Sequence, residues 1–321
     1  MWSRLWVLAV VLAVPIPLAL AQDGANEEGA PAATALTTTT ATNEPASPPS
    51  PAGTSATSAP QDVDVEGDEE HPAPPPAPIP KGPVPVRQPV VVKDGMIRIP
   101  GGRFTMGSND RKAPPNERPA RVVVVPPFWI DKTEVTVGAY RACVERGACP
   151  RPVRSSASCT YDMGDPMLPV SCVPWTSAQA YCIAVNKRLP REVEWEMAAR
   201  GTSPIKYPWG GTAPVGCGLA VTLLSDKSQK SCGKNRPARV GTHPHGVSPF
   251  GVHDMSGNVE EWVADWYGET VSDMSPRSGA AHVLRGGGWL SRPSESKTTS
   301  RNWGSAREAG PNVGFRCARD D

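Results

Sequence analysis

The residues best equipped for chemistry are eight cysteines, and their placement suits staples better than catalysis. All of them lie between Cys143 and Cys317, their number is even, and no two are spaced as Cys-x-x-Cys. The five histidines do not fall at zinc-ligand spacings either. Disulfides in an oxidising compartment are therefore expected. No Ser-His-Asp pattern is visible that would make a nucleophile of any serine. Trp129, Trp175, Trp195, Trp209, Trp262, Trp266, Trp289 and Trp303 could either stack on sugars or fill a core. The block Asp62, Asp64, Glu66, Asp68, Glu69 and Glu70 either binds a cationic partner or is a solvated, self-repelling tail.

The elements that must carry these residues begin well inside the chain. Arg4, the apolar run Leu5 to Leu20 and the Ala19-Leu20-Ala21 ending predict a signal peptide over 1–21, cleaved after Ala21. Pro15 and Pro17 interrupt that run, so it is expected to be removed, leaving no membrane span. The expected location is secreted, periplasmic or at the cell surface. Residues 22–91 hold ten acidic residues against Lys81 and Arg87, contain 15 of the 38 prolines and lack any aromatic residue. Such a composition predicts a disordered linker, stiff and polyproline-like from His71 to Pro89.

The folded part is expected over 92–321. Alternation predicts strands at Met96 to Ile99, Arg103 to Gly107, Arg121 to Val125 and Phe128 to Asp131. Helical spacing occurs three times: Val137, Tyr140 and Val144 after an N-cap at Thr136; Ala178, Tyr181, Cys182 and Val185; and Val193, Met197 and Ala198 before Gly201. Beyond Gly201 the chain predicts irregular structure with short strands, tolerable where disulfides and bound ions hold loops.

Eight motifs follow in order. Ile99-Pro100-Gly101-Gly102-x-Phe104-x-Met106-Gly107 opens the series, and Phe128-Trp129-Ile130-Asp131-Lys132-Thr133-Glu134-Val135-Thr136 comes next. Pro174-Trp175 with Ala178-x-Ala180-Tyr181-Cys182 precedes Lys187-Arg188-Leu189-Pro190-x-Glu192-x-Glu194-Trp195-Glu196. Tyr207-Pro208-Trp209-Gly210 and Gly251-x-x-Asp254-Met255-x-Gly257-Asn258-Val259-x-Glu261-Trp262 follow, then Leu284-Arg285-Gly286-Gly287-x-Trp289 and Gly314-Phe315-Arg316-Cys317. The series resembles the formylglycine-generating enzyme, or sulfatase-modifying factor, family over about residues 94 to 319. The resemblance implies an irregular α+β fold related to C-type lectins, with few helices and short strands.

It also implies chemistry, and here the chain departs. The family's oxidases convert a sulfatase cysteine to formylglycine with copper(I) held by two cysteines after the Arg-Gly-Gly motif. Those positions are Ser291 and Ser296, and no cysteine lies between Cys232 and Cys317. A neutral, hard hydroxyl does not replace a thiolate on copper(I), so copper is not expected. Glu260 stands where the family usually has tryptophan beside its substrate groove. By the same resemblance, calcium is expected on Asp254 and Glu261 through carboxylates and on Gly257 and Val259 through carbonyls. A second family calcium site falls on Cys217-Gly218-Leu219-Ala220 and lacks its ligand. Cys182 and Cys317 match a family disulfide, and Cys217 and Cys232 bracket an insertion and are expected to pair. Cys143, Cys149, Cys159 and Cys172 keep three possible connectivities.

The expectation is therefore a pseudoenzyme: an extracytoplasmic binding or assembly module for a peptide, protein or glycan, with Trp303 and Glu260 as ligand contacts. No nucleic-acid partner is expected. The alternative is an oxidase that makes formylglycine. Iron-dependent sulfoxide synthases share the fold but need a His-rich iron site on an added helical domain, and the N-terminal segment offers only His71.

Overall fold

The computed structural model describes residues 90–321 apart from 154–155, 215, 224–231, 233, 274–275 and 277. The expected signal peptide and nearly all of the expected linker lie outside the described residues. No described helix is long and apolar enough to cross a membrane.

Among the described residues, three short α-helices and ten strands carry the fold. The first sheet is built from β1 (Val92–Lys93), β2 (Met96–Ile99), β5 (Phe128–Asp131) and β10 (Ala318–Asp320), in the order β1-β2-β5-β10. Its strands are antiparallel, and Ala318 pairs with Ile130, which sets the last strand against β5. β3 (Gly102–Met106) and β4 (Arg121–Val125) form a separate two-stranded ribbon. The helices are α1 (Val137–Glu145), α2 (Trp175–Ala184) and α3 (Glu192–Arg200). Thr136 caps α1, its hydroxyl accepting from Ala139 N–H at 3.2 Å, and Val137, Tyr140 and Cys143 face inward. Gly201, at φ 67°, ends α3 in a conformation that suits glycine.

The second half is more regular than its sequence pattern implies. β6 (Glu260–Trp266), β7 (His282–Arg285), β8 (Arg301–Gly304) and β9 (Val313–Phe315) make a four-stranded sheet ordered β8-β7-β6-β9. β6 and β9 run parallel, and the other neighbours antiparallel. β6 and β7 hide from sequence inspection because both faces are covered, so no polar alternation survives. Val263 and Val283 join one apolar cluster with Ile97, Phe128, Ile130, Trp195 and Met197. Trp262 and Leu284, one step along each strand, join the other with Tyr140, Tyr181 and Phe315.

Four disulfides pin the loops: Cys143 to Cys149, Cys159 to Cys172, Cys182 to Cys317, and Cys217 to Cys232. The third joins α2 to the segment between β9 and β10 across 135 residues of sequence. The result is the irregular, disulfide-stapled α+β architecture expected from the motif series.

Candidate functional site

The serine loop begins where β7 ends. Gly286 and Gly287, at φ 90° and 60°, turn the chain out of the sheet. A β-carbon added to Gly287 would meet Ser296 Oγ at 2.5 Å and Ser291 Cβ at 3.1 Å, so both serines border the same glycine. Ser291 Oγ accepts from Gly288 N–H at 3.0 Å and from Asn312 Nδ2 at 3.2 Å. Ser296 is buried, and its hydroxyl donates to the Arg292 carbonyl at 3.3 Å. Two hydrogen-bonded hydroxyls are the donors at this spot, and all eight cysteines are tied up in disulfides. That donor set does not fit copper(I), which favours thiolate ligands.

Glu260 opens β6 a short way off. Its backbone N–H donates to the Asn312 carbonyl at 2.8 Å, linking it to the residue that holds Ser291. The residue is only 7% exposed, and its carboxylate accepts from Asn302 Nδ2 at 3.2 Å. Burial pushes this carboxyl up to about 7; the Asn302 hydrogen bond opposes the shift and the charge of Glu295 adds to it. Trp303, the next residue on β8, is 55% exposed and lies against Tyr267 with ring centres 6.1 Å apart.

The other tryptophans serve packing in varying degree. Trp195, Trp262 and Trp289 are buried, while Trp175 and Trp266 sandwich His282 at 3.6 and 3.8 Å. Trp209 stacks on Tyr207, and Trp129 lies beneath the Arg319 guanidinium.

At the acidic turn, Asp254 and Asn258 adopt φ 58° and 64°, and Gly257 adopts 81°. Asp254 Oδ2 accepts from Gly241 N–H at 2.6 Å. Glu261 receives Arg316 on both oxygens at 2.7 Å, and Trp195 Nε1 at 2.8 Å. Beside them lies Glu134, a buried side chain that the turn motif does not include. Its Oε1 accepts from Asn258 Nδ2 at 2.8 Å, and its Oε2 has no hydrogen-bond partner. Burial holds the Glu134 carboxyl well above the usual carboxylate range; Asp254 and Glu261 push the same way and Arg316 opposes them. Three carboxyl groups thus share one guanidinium, and the orphaned oxygen fits a site that a hard cation would complete. Among the described residues no three acidic, histidine or cysteine side chains converge closely enough to hold a metal alone. The carbonyls of Gly257 and Val259 would therefore have to contribute.

Sequence reasoning singled out no partner for Glu261 and passed over Glu134. The sole signal was an acid directly before Val135 at the start of the segment that leads into α1.

A family model described as a sulfatase-modifying factor enzyme 1-like domain matches residues 82–321. The formylglycine-generating enzyme of Streptomyces coelicolor is 30% identical, across 70% of this chain and 89% of its own. The inactive C-alpha-formylglycine-generating enzyme 2 of Bos taurus is also 30% identical, across 70% of this chain and 87% of its own. This chain spans only 38% of the length of a further relative, the serine/threonine-protein kinase pkn1 of Chlamydia caviae. Among solved structures, PvdO from Pseudomonas aeruginosa superposes with a TM-score of 0.61 at 27% identity, covering 70% of this chain and 94% of that one. Motif order, fold and these likenesses agree: the chain belongs to the sulfatase-modifying factor, or formylglycine-generating-enzyme-like, family.

Proposed function

We propose that this chain is an extracytoplasmic binding or assembly module that keeps the family's groove and has lost its oxidase chemistry. The observation that carries this reading is the loop after β7. Ser291 and Ser296 border Gly287 there, at the positions the oxidases give to their copper-binding cysteines. Four disulfides and an N-terminal segment of signal-peptide composition support placement outside the cytoplasm.

The test is copper(I) titration with turnover of a cysteine-containing sulfatase peptide, run beside a Ser291→Cys/Ser296→Cys variant. The unmodified protein is expected to bind no copper(I) tightly and to turn over no peptide. The double variant is expected to gain copper binding. Turnover by the unmodified protein would sink the proposal in favour of the oxidase reading.

Calcium belongs to the same proposal as a structural ion. Asp254 and Glu261 would hold it by carboxylate and Gly257 and Val259 by carbonyl, and Glu261 would have to yield one of the oxygens that Arg316 now engages. Millimolar calcium is then expected to raise Tm and a chelator to lower it. An unchanged melting curve would remove the ion from the account and leave the groove untouched.

A further inference from the structure

We infer that the cavity between β1 and the loop over residues 244–253 binds a small carboxylate with an apolar tail, its head group set on Lys132. The inference concerns a different face from the serine loop and does not rest on the binding-module reading.

The walls of the cavity come from segments that meet only in the folded chain. It measures about 260 Å³. Val92 on β1, Ile97 on β2 and Val90 just ahead of them line one side, and Val247 and Gly251 line the other. A β-carbon added to Gly251, at φ 85°, would meet Val90 Cγ2 at 3.3 Å and Ile97 Cδ1 at 3.9 Å. The glycine thus lets the loop backbone close on both side chains. Val90, Val91 and Val92 are three consecutive valines that stay exposed. Apolar surface left in water at the rim of a concavity is what an apolar ligand covers.

Lys132 decides the charge of that ligand. It follows β5, and its backbone is held from both sides: its N–H donates to the Gly95 carbonyl at 3.0 Å, and its carbonyl accepts from His253 N–H at 2.9 Å. Its side chain is exposed, lines the cavity and makes no ion pair among the described residues. The adjacent acid, Asp131, is taken by Lys187 at 2.6 Å. No acidic side chain among the described residues lines the cavity, and His253 adds an imidazole that can donate to the same head group. An ammonium group beside apolar walls calls for an anion whose remainder is apolar. One ammonium balances one negative charge, which suits a carboxylate better than a phosphate carrying up to about two. The volume lies below the roughly 300–1,000 Å³ of sites for drug-sized ligands, so the tail is short.

The experiment is a ligand-observed NMR titration of the full chain with benzoate and hexanoate. Benzamide, hexanamide and phenyl phosphate are titrated beside them, and Lys132→Ala and Val92→Trp proteins are run in parallel. Thermal melts confirm that each variant is folded. Both carboxylates are expected to bind the wild type with a Kd of about 1 mM or tighter. The amides are expected to bind at least about threefold more weakly. Lys132→Ala is expected to abolish that preference, and Val92→Trp, which fills the mouth of the cavity, to weaken acid and amide alike. Equal binding of acid and amide by the wild type, or a preference that survives Lys132→Ala, would overturn the role of Lys132. Phenyl phosphate binding more tightly than benzoate would overturn the carboxylate. Affinities unchanged by Val92→Trp would place the ligand elsewhere and overturn the site. If no carboxylate binds, the inference falls and the binding-module reading is untouched.

Discussion

Glu260 carries the clearest electrostatic consequence at the scale of one residue. Its folded carboxyl titrates near 7 against an ordinary value of 4.5, so between those values the folded protein holds a proton that the unfolded chain has released. The folded state binds more protons there, and stability must fall as pH rises from about 4.5 to 7. Above that the loss is complete, on the order of 3 kcal/mol for a shift of this size. Replacing Glu260 with Gln removes the penalty. Urea titrations at pH 5 and pH 8 are expected to show the variant more stable than wild type at pH 8, with the gap closing at pH 5. A gap that is the same at both values would mean that Glu260 titrates normally. His282 acts in the opposite sense: burial between two indoles lowers its pKa, so its neutral form is favoured in the fold and stability is lost as pH drops through about 6.5.

At the scale of elements, Arg316 joins parts that do not touch through regular hydrogen bonding. It sits between β9 and β10, binds Glu261 on β6 with two bonds, and donates to the carbonyls of Asp131 at 3.1 Å and His253 at 2.9 Å. Removing the guanidinium leaves a buried carboxylate group without its counter-charge. Arg316→Met is expected to cost about 3–5 kcal/mol by chemical denaturation. Adding Glu261→Gln to it should recover part of that loss, and strict additivity of the two changes would show that the pair is not coupled. α3 follows the same logic with more partners. Glu192, Glu194 and Glu196 all point inward because Arg301, Arg188 and Arg285 arrive from outside the helix and Arg200 reaches back from its last turn to meet them. No local pattern announces this, since a helix bearing three glutamates in five residues reads as solvated until its partners are placed.

For the whole molecule, the disulfides hold a fold with little regular structure. Closing 135 residues between Cys182 and Cys317 lowers the entropy of the unfolded chain, worth about 4–5 kcal/mol in the chain-entropy model. The Cys182→Ser/Cys317→Ser protein is expected to lose most of that in a denaturant titration, more than the Cys143→Ser/Cys149→Ser protein, whose loop spans only 6 residues. Equal losses would mean that native-state contacts, rather than loop length, set the contribution.

The amino-acid sequence by itself determined what is local or ordered along the chain. Alternation marked β2 to β5, the Thr136 cap and the glycine stop marked α1 and α3, and motif order marked the family. The lack of any cysteine between Cys232 and Cys317 speaks against copper from the sequence alone. Tertiary structure alone decided what depends on residues distant in sequence. It paired Cys143 with Cys149 and Cys159 with Cys172, formed the sheet of β6 to β9, and matched Glu117, Glu192, Glu194, Glu196 and Glu261 to their bases. Burial on both faces erases the period of a strand, and an ion pair between residues 55 or 109 apart leaves no mark in either neighbourhood. For that reason Glu134 and Glu260, ordinary acids in the sequence, stand out only once the other buried glutamates have found their cations.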